Sequence, residues 1–180
     1  GTTESNLYDG ERHVPLYTDS GFHIAQYCGP GTNLIVRLKK NDLGLSEVDK
    51  ISKKHDIQYT LAENNQDVRI ADETMVRNLD KSYKNGTDYK INIMAARGAM
   101  NSKMRLEDIG FMNPGSYSGK KGAELSNEDR KLLMDNLNIL NQQGYGTKKH
   151  KGRALYGNEI EFLMKDDPNF IGVFSKDQLT

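Results

Sequence analysis

Four stretches of the chain carry apolar residues at a helical period. Between Glu47 and Ala62 the residues Val48, Ile51, Tyr59 and Ala62 recur so that, at about 100° per residue, they fall on one stripe of an α-helix. Between Val68 and Tyr83 a second stripe collects Val68, Met75, Val76, Leu79 and Tyr83. A third helix is expected from Lys90 to about Leu106. It is rich in small residues (Ala95, Ala96, Gly98, Ala99) that let a neighbour approach closely. A fourth, over about 127–143, sets Leu133, Leu137 and Leu140 on one face. Ser46 stands three residues before Asp49, and Ser126 three before Asp129, the spacing of a capping box.

Between these blocks the pattern breaks in recognisable ways. The polar run Glu63 to Asp67 separates the first two helices, and Asn85-Gly86 stops the second. Ahead of the helices, Tyr27-Cys28-Gly29-Pro30-Gly31-Thr32 is a dense turn signal, followed by a brief apolar run of β-branched character from Leu34 to Leu38. Residues 1–19 are polar and aperiodic and read as an arm. Residues 110–125 are glycine-rich and read as a linker. Residues 126–180 then form a C-terminal extension, with the fourth helix, a basic run over 148–153 and scattered aromatics beyond it. The architecture expected is mainly α: a turn-rich loop and a small three-helix core over 20–109, plus the extension.

Composition narrows this further. Of 180 residues, 36% are hydrophobic and 28% charged, so the core is small for the length. Basic and acidic side chains balance at 25 each, and no global field draws the chain to nucleic acid or anionic lipid. One cysteine, Cys28, excludes an internal disulfide framework. As a nucleophile it lacks a base nearby in sequence. No apolar run approaches the roughly 18 to 20 residues that span a bilayer, and no signal peptide is visible.

The candidate chemistry lies where the apolar stripes are interrupted. His55 falls in the middle of the first stripe and Asp72 in the middle of the second. A buried ionisable group without a partner is costly, and the simplest resolution is that the two meet. A short polar loop makes the helices antiparallel neighbours, and at roughly 1.5 Å per residue His55 and Asp72 sit at similar heights from it. A carboxylate on one ring nitrogen fixes the tautomer and leaves the other free to take a proton from water. The same pair also serves as a plain structural tie in a helix hairpin. Asp56, about 100° further round, sits at the border of the apolar face and can hold a hard cation beside the imidazole. The glycine turn can supply backbone carbonyls to the same ion.

On these residues the chain resembles phospholipase A2 enzymes. Tyr27-Cys28-Gly29-Pro30-Gly31 is similar to their calcium loop, and His55-Asp56-Ile57-Gln58-Tyr59 to their His-Asp-x-x-Tyr helix. A proline between the glycines, and no disulfides, resembles the phospholipase domain of parvovirus minor capsid proteins. Asp49, Ile70-Ala71-Asp72 and the third helix from Ile91 to Arg105 have counterparts there. The resemblance covers about residues 20–107. It departs in the distance from His55 to Asp72, which is several residues shorter; a deletion confined to the loop would spare the pairing.

The resemblance implies hydrolysis of the sn-2 ester of glycerophospholipids, with His55 as general base and Asp72 orienting it. It implies Ca2+ bound by Asp56 and by the carbonyls of Tyr27, Gly29 and Gly31, with the Gly29 N–H at the oxyanion and Tyr59 in the supporting network. It further implies a phospholipid surface as partner, association with other capsid proteins, and a virion setting in which the lipase breaches an endosomal membrane. Rival readings are a catalytically silent virion protein keeping the fold, and a metal phosphohydrolase, which wants more histidine ligands than His13 and His23 in irregular segments provide. Nucleic-acid contact through Lys148, Lys149, Lys151 and Arg153 is a separate option. His13, His23 and His150 read as surface or loop residues.

Overall fold

The computed structural model describes residues 7–108 and 125–145. The linker from 110 to 124, the basic run and everything after it lie outside the described residues. A short hairpin, β1 (Pro15–Thr18) and β2 (Gly21–Ile24), comes first and pairs antiparallel with Leu16 opposite His23. The helices follow: α1 (Leu34–Lys39), α2 (Glu47–Leu61), α3 (Asn65–Asn85), α4 (Lys90–Asp108) and α5 (Asn127–Leu140). A five-residue π-turn, Asn141–Tyr145, extends α5.

The chain is mainly helical, as its periodicity requires, and α2 and α3 form its centre. Only residues 62–64 separate them, so they pack as an antiparallel pair. The polar run is shorter as a loop than its composition suggests, because Asn64 caps α3 by accepting the Asp67 N–H at 2.8 Å. Gly86, in the left-handed region at φ 63°, closes α3. Val48, Ile51, Ile57 and Leu61 of α2 join Met75 and Leu79 of α3, Ile93 of α4 and Leu133, Leu137 and Leu140 of α5 in one core.

Several expectations from the sequence are corrected. The run from Leu34 to Leu38 is helical: Leu34, Arg37 and Leu38, at i, i+3 and i+4, are the buried positions, and this spacing suits a helix turned against a core. The Ser46 hydroxyl makes no cap; it is buried without a partner among the described residues. The Val48 N–H is taken by Asp88 at 2.7 Å instead, and Asp49 is committed elsewhere. At the start of α5 the capping pattern does form, with Ser126 Oγ accepting the Asp129 N–H at 3.0 Å. Tyr83 is exposed rather than part of the apolar stripe. Of the small residues on α4 only Ala96 is buried; Ala95, Gly98 and Ala99 face outward.

The largest correction concerns the N-terminal arm. From Glu11 onward it is packed into the fold, with Glu11, His13 and Leu16 buried. Glu11 is anchored by a two-pronged pair with Arg37, Oε2 to Nε at 2.9 Å and Oε1 to Nη2 at 2.7 Å. The same carboxylate accepts the N–H groups of Tyr8 and Asn33. No apolar periodicity marks this segment, because an ion pair rather than a hydrophobic stripe holds it. No helix among the described residues is long and apolar enough to cross a membrane.

Candidate active site

The glycine turn is a ribbon whose carbonyls are spent alternately on its two sides. Those of Cys28 and Pro30 accept the N–H groups of Val14 and Arg12, at 2.9 and 3.0 Å, from the packed N-terminal segment. Those of Tyr27 and Gly29 turn the other way, toward the Thr32 hydroxyl at 3.3 and 3.5 Å. Gly29 has φ +136°, and a Cβ there would stand 2.6 Å from the Arg12 carbonyl oxygen. At Gly31, φ +79°, a Cβ would stand 2.1 Å from the Gly10 carbonyl oxygen. Both positions therefore require glycine, for the backbone sign and for the close approach of the N-terminal segment.

Asp49 ties this ribbon to α2. Its fully buried carboxylate accepts four backbone N–H groups: Tyr27 and Cys28 on Oδ1, Gln26 and Leu45 on Oδ2, all at 2.9 to 3.0 Å. Local sequence pattern assigned Asp49 to a helix cap, but the buried loop donors claim it. A loop without disulfides is thus fixed by one side chain of the helix that also bears His55 and Asp56.

His55 and Asp72 meet as their stripes predict. The His55 Nε2 to Asp72 Oδ1 distance is 2.7 Å, and Asp72 is fully buried. A carboxylate only accepts, so Nε2 carries a hydrogen, and in the neutral ring Nδ1 is the nitrogen that presents a lone pair. Nδ1 lies 3.9 Å from Asp56 Oδ1, on the side of the glycine loop. Asp72 also receives a lysine: Lys103 Nζ of α4 is 2.6 Å from Oδ2. Burial pulls the His55 imidazole down, but the carboxylates of Asp56 and Asp72 outweigh it and push its pKa up to about 9. Burial alone would raise Asp72; its bonds to His55 and Lys103 hold it below the ordinary carboxylate range. The Tyr59 ring packs 5.0 Å from the His55 ring and beneath Lys103 Nζ, at 5.2 Å. Its ring therefore lies beside the dyad.

Asp56 is the group left over. Its Oδ2 is buried without a hydrogen-bond partner among the described residues, and burial raises its pKa above the usual range. The His55 ring and the Thr32 hydroxyl only partly counter this. No group of three or more His, Cys, Asp or Glu side chains that could by itself hold a metal ion exists among the described residues. A cation here has to be held by one carboxylate and by carbonyl oxygens, a donor set that suits a hard ion such as calcium. The orphaned Asp56 oxygen and the Tyr27 and Gly29 carbonyls, both drawn toward the Thr32 hydroxyl, fit that requirement.

Other candidates are placed differently. His13 is buried, with Nδ1 2.9 Å from the Ala25 carbonyl and Nε2 2.9 Å from Thr32 Oγ1. The carbonyl only accepts, so Nδ1 donates and His13 braces the loop from behind. Sequence reasoning read it as a surface or loop residue; it does lie in a loop, but its burial was hidden because nothing local marks its partners, 12 and 19 residues away. His23 bonds Ser20 in the hairpin, far in role from a metal ligand. Burial pushes the Cys28 thiol up to about 11, which removes it as a nucleophile. Lys103, Asp49 as loop anchor, and Thr32 were missed.

No curated protein and no solved structure matches the chain. A protein-family model does, and it spans the glycine loop, His55, Asp56, Asp72 and the start of α4. Residues 21–97 match the family described as a phospholipase A2-like domain, and this part of the chain is similar to it.

Proposed function

We propose that the chain is a calcium-dependent phospholipase A2, hydrolysing the sn-2 ester of glycerophospholipids. The observation that carries this reading is the His55–Asp72 pair, with Nδ1, the other ring nitrogen, 3.9 Å from Asp56 Oδ1. A purely structural tie needs the 2.7 Å bond alone. It gives no reason for a buried Asp56 oxygen without a hydrogen-bond partner beside the imidazole.

Each residue has a definable task. His55 Nδ1 takes the proton of a water that attacks the ester carbonyl. Asp72 keeps the imidazole in the Nε2–H tautomer and offsets its charge once protonated, remaining ionised itself. Asp56, with the Tyr27, Gly29 and Gly31 carbonyls, would hold Ca2+. When bound, calcium supplies Lewis-acid polarisation of the ester carbonyl and a counter-charge for the lipid phosphate. The Gly29 N–H would donate to the oxyanion. Asp56 is also one of the two charges that raise His55. Were that carboxylate given over to a cation, it would hold the imidazolium less, and the imidazole would be a better base.

The partner surface is then a phospholipid bilayer. The proline between the glycines and the single cysteine support a setting like that of viral capsid lipases: a virion protein, beside other capsid proteins, that opens an endosomal membrane during entry. The test is fatty-acid release from phospholipid vesicles with calcium or chelator, for the wild type and His55→Ala. Release that needs calcium and is lost in the variant supports the reading. A folded wild type with no release at millimolar calcium would leave the silent structural protein as the better account.

A further inference from the structure

Lys103 is buried at a place where a lysine is unexpected. Lysines on helices ordinarily bury the stem and keep the ammonium in water. Here the residue is 8% exposed, and Nζ sits 2.6 Å from Asp72 Oδ2 and 5.2 Å over the Tyr59 ring. Asp72 and Tyr59 are the two side chains packed on His55 from that side, at 2.7 Å and at a ring separation of 5.0 Å. One cation thus touches both supports of the candidate base. It comes from α4 beyond the matched residues 21–97, so the family match does not include it.

Consider Asp72 with His55 as its only partner. The carboxylate is fully buried, and Oδ2 would have no donor. Two relaxations relieve that oxygen: rotation about the carboxylate axis, or uptake of a proton. Either one removes a fixed, charged acceptor from His55 Nε2. The imidazole hydrogen is then no longer confined to Nε2, and Nδ1 is no longer reliably unprotonated. A cation on Oδ2 blocks both routes at once. It pins the carboxylate plane through its second oxygen and keeps the group ionised inside the core.

We propose that Lys103 is a positioning residue of this site: its ammonium fixes Asp72 so that Oδ1 faces His55 Nε2 and the Nδ1 lone pair stays toward substrate. The proposal rests on the hydrolytic reading above, and its test separates the two. In the full chain, Lys103→Met removes charge and donor, while Lys103→Gln keeps an uncharged donor on a side chain one atom shorter. Both are expected to lower kcat, Met by on the order of 10- to 100-fold and Gln by less, the usual range for losing a partner that orients a working side chain. KM for vesicles and the calcium requirement should stay at wild-type values, because Lys103 touches neither the lipid nor the loop. Nitrogen-15 NMR of the His55 ring, recorded in alkaline solution where the imidazole is neutral, should show a single Nε2–H tautomer in the wild type and a mixture in Lys103→Gln. Should Lys103→Met fail to fold, the glutamine variant carries the test. Wild-type kcat in either folded variant overturns the proposal. So does a kcat loss with an unchanged histidine tautomer. Absence of activity in the wild type would instead sink the hydrolytic reading, while the tautomer comparison still decides the role of Lys103.

Discussion

Asp56 pays for its place in the metal-free chain. Its pKa is raised, chiefly by burial, so the charged form is less favoured in the folded than in the unfolded state. That cost is present at neutral pH and disappears only in acid, where the carboxyl is protonated in both states. Asp56→Asn removes it. In chelator the variant is expected to be more stable than the wild type by about 1 kcal/mol, the order of one unsatisfied buried polar group. Calcium should then raise the melting temperature of the wild type but not of the variant. Thermal melts with and without calcium check both halves; a variant less stable in chelator would mean that the Asp56 charge supports the fold. The sequence showed this residue, along with His55 and Asp72, because polar groups inside or beside an apolar stripe contradict their surroundings. It could not show Lys103 or His13. A lysine in a basic stretch of helix contradicts nothing local, and its partner lies 31 residues away.

Elements are held to each other here by carboxylates as much as by apolar faces. Asp49 binds the glycine loop to α2, and Glu11 binds the N-terminal segment to α1. Burial would raise the Glu11 pKa from its ordinary 4.5, but the bonds from Arg37, Tyr8 and Asn33 outweigh it and the net shift is downward. A depressed carboxylate contributes stability above its unfolded pKa and loses it as pH falls through the folded value. Glu11→Gln leaves the buried Arg37 guanidinium without its main partner, and is expected to cost about 3 kcal/mol at pH 7. The two stabilities should converge as the wild-type carboxyl itself protonates in acid. Urea unfolding from pH 7 down to pH 3 checks this, and a constant gap would show that charge is not what Glu11 supplies. Helices α2 to α4 were legible because hydrophobic period is a local signal. The packed N-terminal segment was not, since polar residues joined by long-range pairs leave no period at all.

At the scale of the molecule, the question is whether α5 belongs to the domain it follows. It lies outside the matched residues 21–97, yet Leu133, Leu137 and Leu140 are buried with residues of α1 and α2 in the same core. The π-turn after it reaches further. Tyr145 gives its hydroxyl to Glu47 at the start of α2, at 2.7 Å. Its carbonyl accepts Asn78 of α3 at 3.1 Å and the buried ammonium of Lys54, the neighbour of His55. The helix that carries His55 is therefore clamped from behind by chain that sequence reading set apart as an extension, because a glycine-rich stretch looks like a boundary whatever packs beyond it. Leu137→Ala should cost about 3 kcal/mol, the middle of the range for emptying a buried leucine site, and lower the melting temperature by on the order of 10 °C. Ile139, on the same helix but 52% exposed, serves as the control; its change to alanine should stay within about 0.5 kcal/mol. If both variants melt like the wild type, α5 is a loosely held appendage and the core ends with α4. If only Leu137→Ala falls, and in a single cooperative transition, the working unit runs from the packed N-terminal segment through Tyr145. The support of His55 then includes residues that the family match does not contain.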